Sequence, residues 1–428
     1  MIDEKLILQV LSEQKEEVKN YPIKQWVVRQ EEELFEFDSP LAQVVIGVRR
    51  SGKSTLCHKV LQNHGIEYAY ANLDDDRLAK MEIEDLNKLL SCLYMLYGTN
   101  FRYLFLDEIQ NVEGWHLFVN RLLRTGIHVF VTGSNARLLS SELATHLTGR
   151  YNEIRLFPFS FAEYCNYKKV PTQGMTTKEN AELKRAFFDY INEGGFPELQ
   201  LIHNKRSYVQ SLIDAILNKD IKIRYKVRDM DALSKIATQL IRNACQIVNY
   251  ESLAKELDLS DKTVKKYVDY LRQAFLIQLL PKHSFKSKGR TSGEKAYIVD
   301  TGLENNREYS MAGENVGWRL ENVIYIELLR RCYKQFYDVY YYRPTARQKE
   351  VDFVVCNQNK AIELIQVAYD IEDPKTFERE TSALVKTADA LHCDNLKLIA
   401  FADSRSVTID GKIIQIVSAI EWLINTSN

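Results

Sequence analysis

Val44-Val45-Ile46-Gly47-Val48-Arg49-Arg50-Ser51-Gly52-Lys53-Ser54 is the stretch whose reading decides the fold. Three apolar residues of a buried-strand type lead into G-x-x-x-x-G-K-S, and Thr55 to Gln62 continues as a helix pattern. The glycines let the backbone curl with its N–H groups pointing inward, and the positive end of the following helix adds to them, which makes an anion site. Gly47, Arg49, Arg50, Ser51, Gly52, Lys53, Ser54 and Thr55 are the expected nucleotide-binding positions. Lys53 is placed to reach the β- and γ-phosphates, and the Ser54 hydroxyl to take a place on Mg²⁺. An ordinary glycine-containing turn is the plain alternative; the flanking strand and helix favour the phosphate site.

A chain of 428 residues allows roughly two to four domains with ample core. It is 45% hydrophobic and 27% charged, as expected of a globular protein in water. The net charge of −1 gives no global field for or against nucleic acid, so any basic surface is local. The seven cysteines are scattered, odd in number and without a CxxC. They indicate neither a disulfide framework nor a zinc site, and fit a reducing, cytoplasmic setting. Met1-Ile2-Asp3-Glu4 lacks the basic-then-apolar order of a signal peptide. No apolar run approaches the eighteen or so residues of a span, so no membrane partner is expected.

Around the phosphate loop, residues 4–36 read as two helical pieces divided by Pro22, with Leu6, Ile7, Val10 and Leu11 at helical spacing. Packing against the nucleotide domain is their expected role; contact with adenine is the other reading. Tyr68 to Leu73 reads as a strand ending in Asp74-Asp75-Asp76-Arg77, either a solvated loop or a group near Mg²⁺ or a partner's basic side chain.

Tyr103-Leu104-Phe105-Leu106-Asp107-Glu108 is the second landmark. Its apolar run suits a strand buried on both faces of a parallel sheet, and its acids stand at the C-terminal end, where ligands bind in such sheets. Asp107 is expected to hold Mg²⁺, directly or through water, and Glu108 to orient or deprotonate the attacking water. Ile127 to Thr132 is another buried-type strand, ending in Gly133-Ser134-Asn135. A polar side chain there, Asn135 above all, contacts the γ-phosphate or the attacking water, unless the three are only turn residues.

The loop, the apolar-D-E strand and the T-G-S-N strand end together resemble the AAA+ branch of P-loop ATPases. That resemblance implies an α/β fold with a parallel P-loop NTPase sheet of order 5-1-4-3-2, ATP as ligand and Mg²⁺ beside it. Leu147-Thr148-Gly149-Arg150, the run Leu156 to Phe161, and Gly194-Gly195-Phe196-Pro197-Glu198 are similar to one archaeal and bacterial AAA+ family. Its members carry a largely uncharacterised, restriction-endonuclease-like C-terminal domain, and the resemblance covers nearly the whole chain. Arg150 is the best candidate for an arginine finger, supplied in cis or by a partner, against the reading of a surface or ion-paired arginine. Arg49, Arg50 and Arg137 compete for that role. Asn218-Lys219-Asp220 mimics a guanine-reading motif, but its Asp comes one residue early in a helical context, so GTP specificity is not expected.

The second half of the chain reads as further units. Ser160 to about Arg228 is mostly helical, as a lid would be. Leu253 to Leu257 forms a short helix, Leu259-Ser260-Asp261 a turn with a Ser N-cap, and Thr263 to Ala274 a second helix followed by a strand to Leu280. This is a winged-helix pattern, made locally basic by Lys262, Lys265, Lys266, Arg272, Lys282, Lys286, Lys288 and Arg290. It either contacts DNA through Lys262, Thr263, Lys265 and Lys266 or serves as a structural or protein-contact module. From Gly317 a small α/β unit begins. Asp352 on one strand, Glu363 on the next and Glu321 on a helix resemble a PD-(D/E)xK nuclease core, but Ile365 stands where its lysine belongs. A retained fold without cleavage is therefore expected.

The expected organisation is an N-terminal helical segment (1–36), an ATPase core (37–159), a helical lid (160–229), a winged helix (230–312) and a restriction-endonuclease-like domain (313–428). The expected activity is a Mg²⁺-dependent ATPase working as a switch or motor. The alternatives are a nucleotide-gated binder of DNA or protein with little turnover, and an ATP-gated metal-dependent nuclease. Expected partners are ATP and, through the winged helix, DNA; another protein or a second copy is the remaining possibility.

Overall fold

The computed structural model describes residues 2–134, 147, 149–173, 176–284, 293–305, 316–344 and 349–425. The chain divides into two compact units, Met1–Phe157 with Gln273–Phe275, and Pro158–Arg272 with Leu276–Asn428.

The first unit begins with helix α1 (Glu4–Lys19), which starts where the Asp3 side chain accepts from the Lys5 N–H and buries Ile7, Val10, Leu11 and Gln14. Gln14 then grips a strand edge, accepting from the N–H of Asn72 and donating to its carbonyl. The second helical piece expected after Pro22 does not form as an α-helix. Two 3₁₀ turns, Ile23–Gln25 and Gln30–Leu34, stand in its place. Side chains satisfy this backbone where a helix would have done so: Lys59 donates to the Val27 carbonyl, and Glu32 accepts from the Arg29 N–H.

Strands β1 (Ala42–Ile46), β2 (Tyr68–Asn72), β3 (Tyr103–Asp107), β4 (His128–Gly133) and β5 (Tyr151–Arg155) form one sheet of order β2-β3-β4-β1-β5. Every pair is parallel, and the order is the one expected for the P-loop NTPase fold. Helices α2 (Lys53–Asn63), α3 (Asp85–Tyr97) and α4 (Trp115–Arg124) connect the strands. Val45, Leu56, Val60, Phe105 and Phe130 pack between α2 and the sheet, which explains why these strands are apolar rather than alternating.

In the second unit, α5 (Phe161–Lys168) and α6 (Thr177–Glu193) both start with capping boxes, Ser160 with Glu163 and Thr176 with Glu179. Helix α7 (Lys205–Ala215) follows. The helices expected to form a lid thus belong to this unit, by its division. Next come α8 (Met230–Arg242), β6 (Gln246–Ile247), α9 (Tyr250–Glu256), α10 (Asp261–Gln273), β7 (Ile277–Leu280) and β8 (Lys295–Ile298). The three strands form an antiparallel sheet of order β6-β8-β7, and Ser260 caps α10 by accepting from the Thr263 N–H.

Helix α11 (Val316–Gln335) leads into β9 (Asp338–Tyr342), β10 (Val351–Asn357), β11 (Lys360–Ala368), α12 (Pro374–Leu391), β12 (Leu396–Ala400), β13 (Arg405–Ile409), β14 (Lys412–Ser418) and α13 (Ala419–Ile424). Their six strands lie in the order β13-β14-β12-β11-β10-β9.

The Gly194-Gly195 turn is fixed by a buried carboxyl far along the chain. Asp300 accepts from the N–H groups of Gly195 (2.6 Å) and Gly302 (2.9 Å). A Cβ on Gly195 would stand 2.2 Å from the Phe159 carbonyl oxygen, so only glycine fits. Burial pushes the Asp300 carboxyl up to about 7, against the pull of the two N–H groups and of Arg330. With the folded value raised, the contribution of protonated Asp300 to stability is complete below the unfolded carboxyl's 3.8 and is lost as pH rises through about 7. Asp300→Asn cannot ionise, so its urea midpoint should lie furthest below wild type near pH 4 and close on it by pH 8. A gap that stays constant with pH contradicts this.

Candidate nucleotide-binding site

Gly47 to Thr55 wrap around the C-terminal end of β1 and the start of α2, where two glycines make the curl possible. A Cβ on Gly47 would meet the Leu156 carbonyl oxygen at 2.0 Å, and Gly52 holds φ +95°. Arg50 also takes a left-handed φ of 65°. The Lys53 side chain, 4% exposed, lies inside the curl; its Nζ donates to the carbonyls of Gly47 (3.3 Å) and Val48 (3.2 Å) and stands 3.8 Å from Glu108 Oε1.

The sheet brings the two acids to this loop. Ser54 Oγ donates to Asp107 Oδ1 at 2.9 Å, the Thr132 hydroxyl donates to the same oxygen, and Tyr70 donates to Oδ2 at 3.2 Å. Burial pushes the Asp107 carboxyl up, opposed by these donors and by the charge of Lys53. Glu108 points elsewhere because its backbone turns left-handed at φ 51° directly after the strand. Its N–H donates to Thr132 Oγ1 at 2.9 Å, and its side chain faces Lys53 and Gln110. Adjacent acids therefore hold different directions, one toward Ser54 and one toward Lys53.

Arg49 and Thr55 flank the loop, Arg49 beside Asp74 at 3.7 Å. Ser51 is buried within it and Ser134 is buried at the end of β4. Asn135 and Arg137 lie outside the described residues. Arg150 is exposed and precedes β5 at the edge where β1 begins: its carbonyl accepts from the Ala42 N–H. The loop follows β1 at the opposite edge, about 16 Å away along five strand residues. Arg150 thus precedes β5 at the edge of the sheet away from its own loop.

Two residues important to this geometry have roles that no local pattern in the sequence assigns. Thr132 bridges Asp107 and Glu108, and only the adjacency of β3 and β4 reveals it. Arg29, 6% exposed, reaches from the segment before β1 and donates to the carbonyls of Ser51 (3.2 Å) and Phe157 (2.6 Å). It lies in the charged run Arg29-Gln30-Glu31-Glu32-Glu33, where nothing nearby marks it.

In the second unit, Glu321 and Asp352 converge but Glu363 does not. Strand pairing sets Phe353 opposite Ile365, so Gln366 is the cross-strand neighbour of Asp352, and its Oε1 accepts from the Asp352 N–H at 3.3 Å. Glu363 faces Lys397 and Asn395 instead. A lysine from elsewhere in the chain stands beside Glu321 and Asp352. Lys295, on β8, stands 3.2 Å from Glu321, 2.5 Å from Glu350 and 4.0 Å from Asp352. Burial would lower the Lys295 ammonium; the surrounding carboxylates outweigh it and hold the value raised, while burial and Glu321 push Asp352 up. Among the described residues no group of three or more His, Cys, Asp or Glu is arranged to hold a metal ion.

The fold and the loop define an AAA-type, ATPase-like nucleotide-binding module, and a family model described as an AAA domain matches residues 39–165. The chain belongs to the family of two uncharacterised proteins, MJ1544 of Methanocaldococcus jannaschii and one from Haemophilus influenzae. The first is 34% identical over 397 residues, covering 89% of this chain and 87% of the relative. The second is 33% identical over 412 residues, covering 92% and 97%. Two models, each described as a domain of unknown function (DUF8612 and DUF4143), match residues 184–308 and 316–417. Among solved structures, the Walker-type ATPase PABY2304 of Pyrococcus abyssi is similar over 65% of this chain and 95% of that one, at 14% identity and a TM-score of 0.42. No helix among the described residues is long and apolar enough to cross a membrane.

Arg29→Ala would strip a donor from two buried carbonyls, at about 1–3 kcal/mol for each left unsatisfied. ATP affinity should fall several-fold with the loop's loss of order, and Arg29→Lys should not restore it, because a single ammonium nitrogen lacks the spread of the two guanidinium nitrogens that reach the separate carbonyls. Nucleotide titration of both variants checks this; wild-type affinity in the alanine variant would remove Arg29 from the loop's support.

Proposed function

We propose that the first unit binds ATP with Mg²⁺ and hydrolyses it, serving as a switch or motor. The observation that carries this reading is the divergence of Asp107 and Glu108 at one loop. Ser54 Oγ and Asp107 Oδ1 are 2.9 Å apart, about the cis edge of an octahedron with the bonds of roughly 2.0–2.1 Å that Mg²⁺ requires. One hydroxyl and one carboxylate beside phosphates fit that ion, which takes few protein ligands and keeps water. Bound there, it would neutralise charge developing on the β- and γ-oxygens.

Lys53 and the N–H groups of residues 47–55 would hold the phosphates. On ATP entry the Lys53 ammonium turns from its own loop carbonyls to phosphate oxygens, and Glu108 is freed to take the proton of the attacking water. Thr132 keeps the two carboxylates apart in function by donating to one residue and accepting from the other. Ser134 and Asn135 are the proposed water- or phosphate-sensing groups. Arg150 acts on the site of a second copy, since its own loop lies at the far edge of the sheet.

A second reading concerns the helices and hairpin of residues 230–298. Their order of helix, strand, two helices and hairpin supports a winged helix, and Lys262, Lys265 and Lys266 are exposed on α10. DNA is the proposed partner. The six-stranded unit is read as restriction-endonuclease-like with cleavage lost, because Gln366 replaces an acid and the Lys295 ammonium sits buried among the remaining carboxylates.

Asp107→Asn should impair Mg²⁺-dependent ATP binding and turnover together. Glu108→Gln should leave ATP bound and slow single-turnover hydrolysis by roughly 10²–10⁴-fold, as for loss of a general base. Near-normal hydrolysis in Glu108→Gln would sink its role. Arg150→Ala should lower turnover, and mixing it with Lys53→Ala should restore part of it; no restoration would count against action between copies.

A further inference from the structure

A second basic element lies beside α10, in a part of the chain whose sequence pattern reads only as lid. Residues 219–228 contain Lys219, Lys222, Arg224, Lys226 and Arg228 against one acid, Asp220, which is buried. The chain leaves α7 as a π-helical stretch, Ile216–Lys222, runs on through Ile223–Tyr225, and stops where Lys226 takes a left-handed φ of 50°. Ile216, Leu217, Asp220 and Ile221 form its inner face, while Lys219, Lys222, Lys226 and Arg228 are exposed. Among the described residues none of the five cations, nor Lys262, Lys265 or Lys266, is held in an ion pair.

One contact ties this element to α10: the Tyr225 ring stacks on Tyr270 with centroids 3.8 Å apart and planes at 11°. Lys266 Nζ lies 5.7 Å from the centroid of the same Tyr270 ring, and Arg224 and Lys226 neighbour Tyr225 in sequence.

We infer that residues 219–228 and the exposed face of α10 form one docking surface for duplex DNA, in which α10 enters the major groove and the 219–228 cations sit on the phosphates of the groove wall. This rests on the winged-helix reading above. Elements packed side by side have axes about 8–10 Å apart, less than the roughly 12 Å width of the major groove. A row of cations beside a groove-bound helix therefore meets the sugar–phosphate wall rather than the bases. A membrane surface would also attract the charge, but it needs an apolar face as well. Here the apolar side is consumed by the core, and Ile223 is the one large exposed apolar side chain of the stretch.

The test uses the full chain, a duplex of about three helical turns (roughly 30 base pairs), and affinity measured against salt. Replacing Lys219, Lys222, Lys226 and Arg228 by Ala should lower the slope of log K against log salt by about 0.9 for each phosphate that is no longer neutralised, up to roughly 3–4 units. The loss of affinity should be the same on unrelated duplexes. Replacing Lys262, Lys265 and Lys266 should also change the ranking of duplexes by sequence. An unchanged slope and affinity in the first variant, with binding lost in the second, overturns the two-element surface and leaves the winged-helix reading standing. No DNA binding by the wild-type chain at low salt, with or without ATP, overturns both. Binding to phosphatidylserine vesicles but not to DNA, lost in the first variant, assigns the strip to a membrane and overturns it as well.

Discussion

The hydrogen bond from Ser54 to Asp107 joins the two sequence landmarks, and the rest of the first unit is arranged so that it can form. Strands β1 and β3 are not neighbours; β4 lies between them. A parallel sheet brings all its C-terminal ends to one edge, so the start of α2 and the end of β3 can meet across the end of β4. Thr132, at that end, closes the gap by bonding to Asp107 and Glu108 at once. The left-handed turn at Glu108 then separates the acids by direction rather than by distance along the chain. Arg29 and Lys59 serve the same edge from behind, binding carbonyls that the irregular segment before β1 and the loop itself leave open.

Much of this unit is legible in the sequence because its signals are local. Gly47, Gly52 and Lys53 have functions that depend on immediate neighbours, and an unbroken apolar strand before Asp107 announces burial on both faces. What is not legible depends on contacts remote along the chain. Arg29 meets Phe157 across 128 positions, and nothing near Arg29 distinguishes it from a solvated charge. The stretch after Pro22 reads as helix because its charged residues have helical propensity, whereas tertiary hydrogen bonds to its backbone decide its conformation.

The second unit shows a subtler limit. A hairpin counted outward from its turn would set Ile365 opposite Asp352. A register shift between Val355 and Cys356 moves Gln366 there instead and leaves Glu363 on the other face. The lysine missing from β11 is supplied in space by β8, where Lys295 satisfies three carboxylates that would otherwise repel one another. A buried ammonium in such a cluster offsets the cost of burying the carboxylates together.

The central claim is that Ser54, Asp107 and Glu108 make the loop of Lys53 a working, metal-dependent ATPase site. The most direct measurement is phosphate release from ATP by the purified full chain, with Mg²⁺ and with the metal chelated, beside Lys53→Ala under the same conditions. The account predicts turnover that needs both the metal and Lys53. Turnover that survives either loss, or no nucleotide binding by the wild-type chain at millimolar ATP, would contradict it.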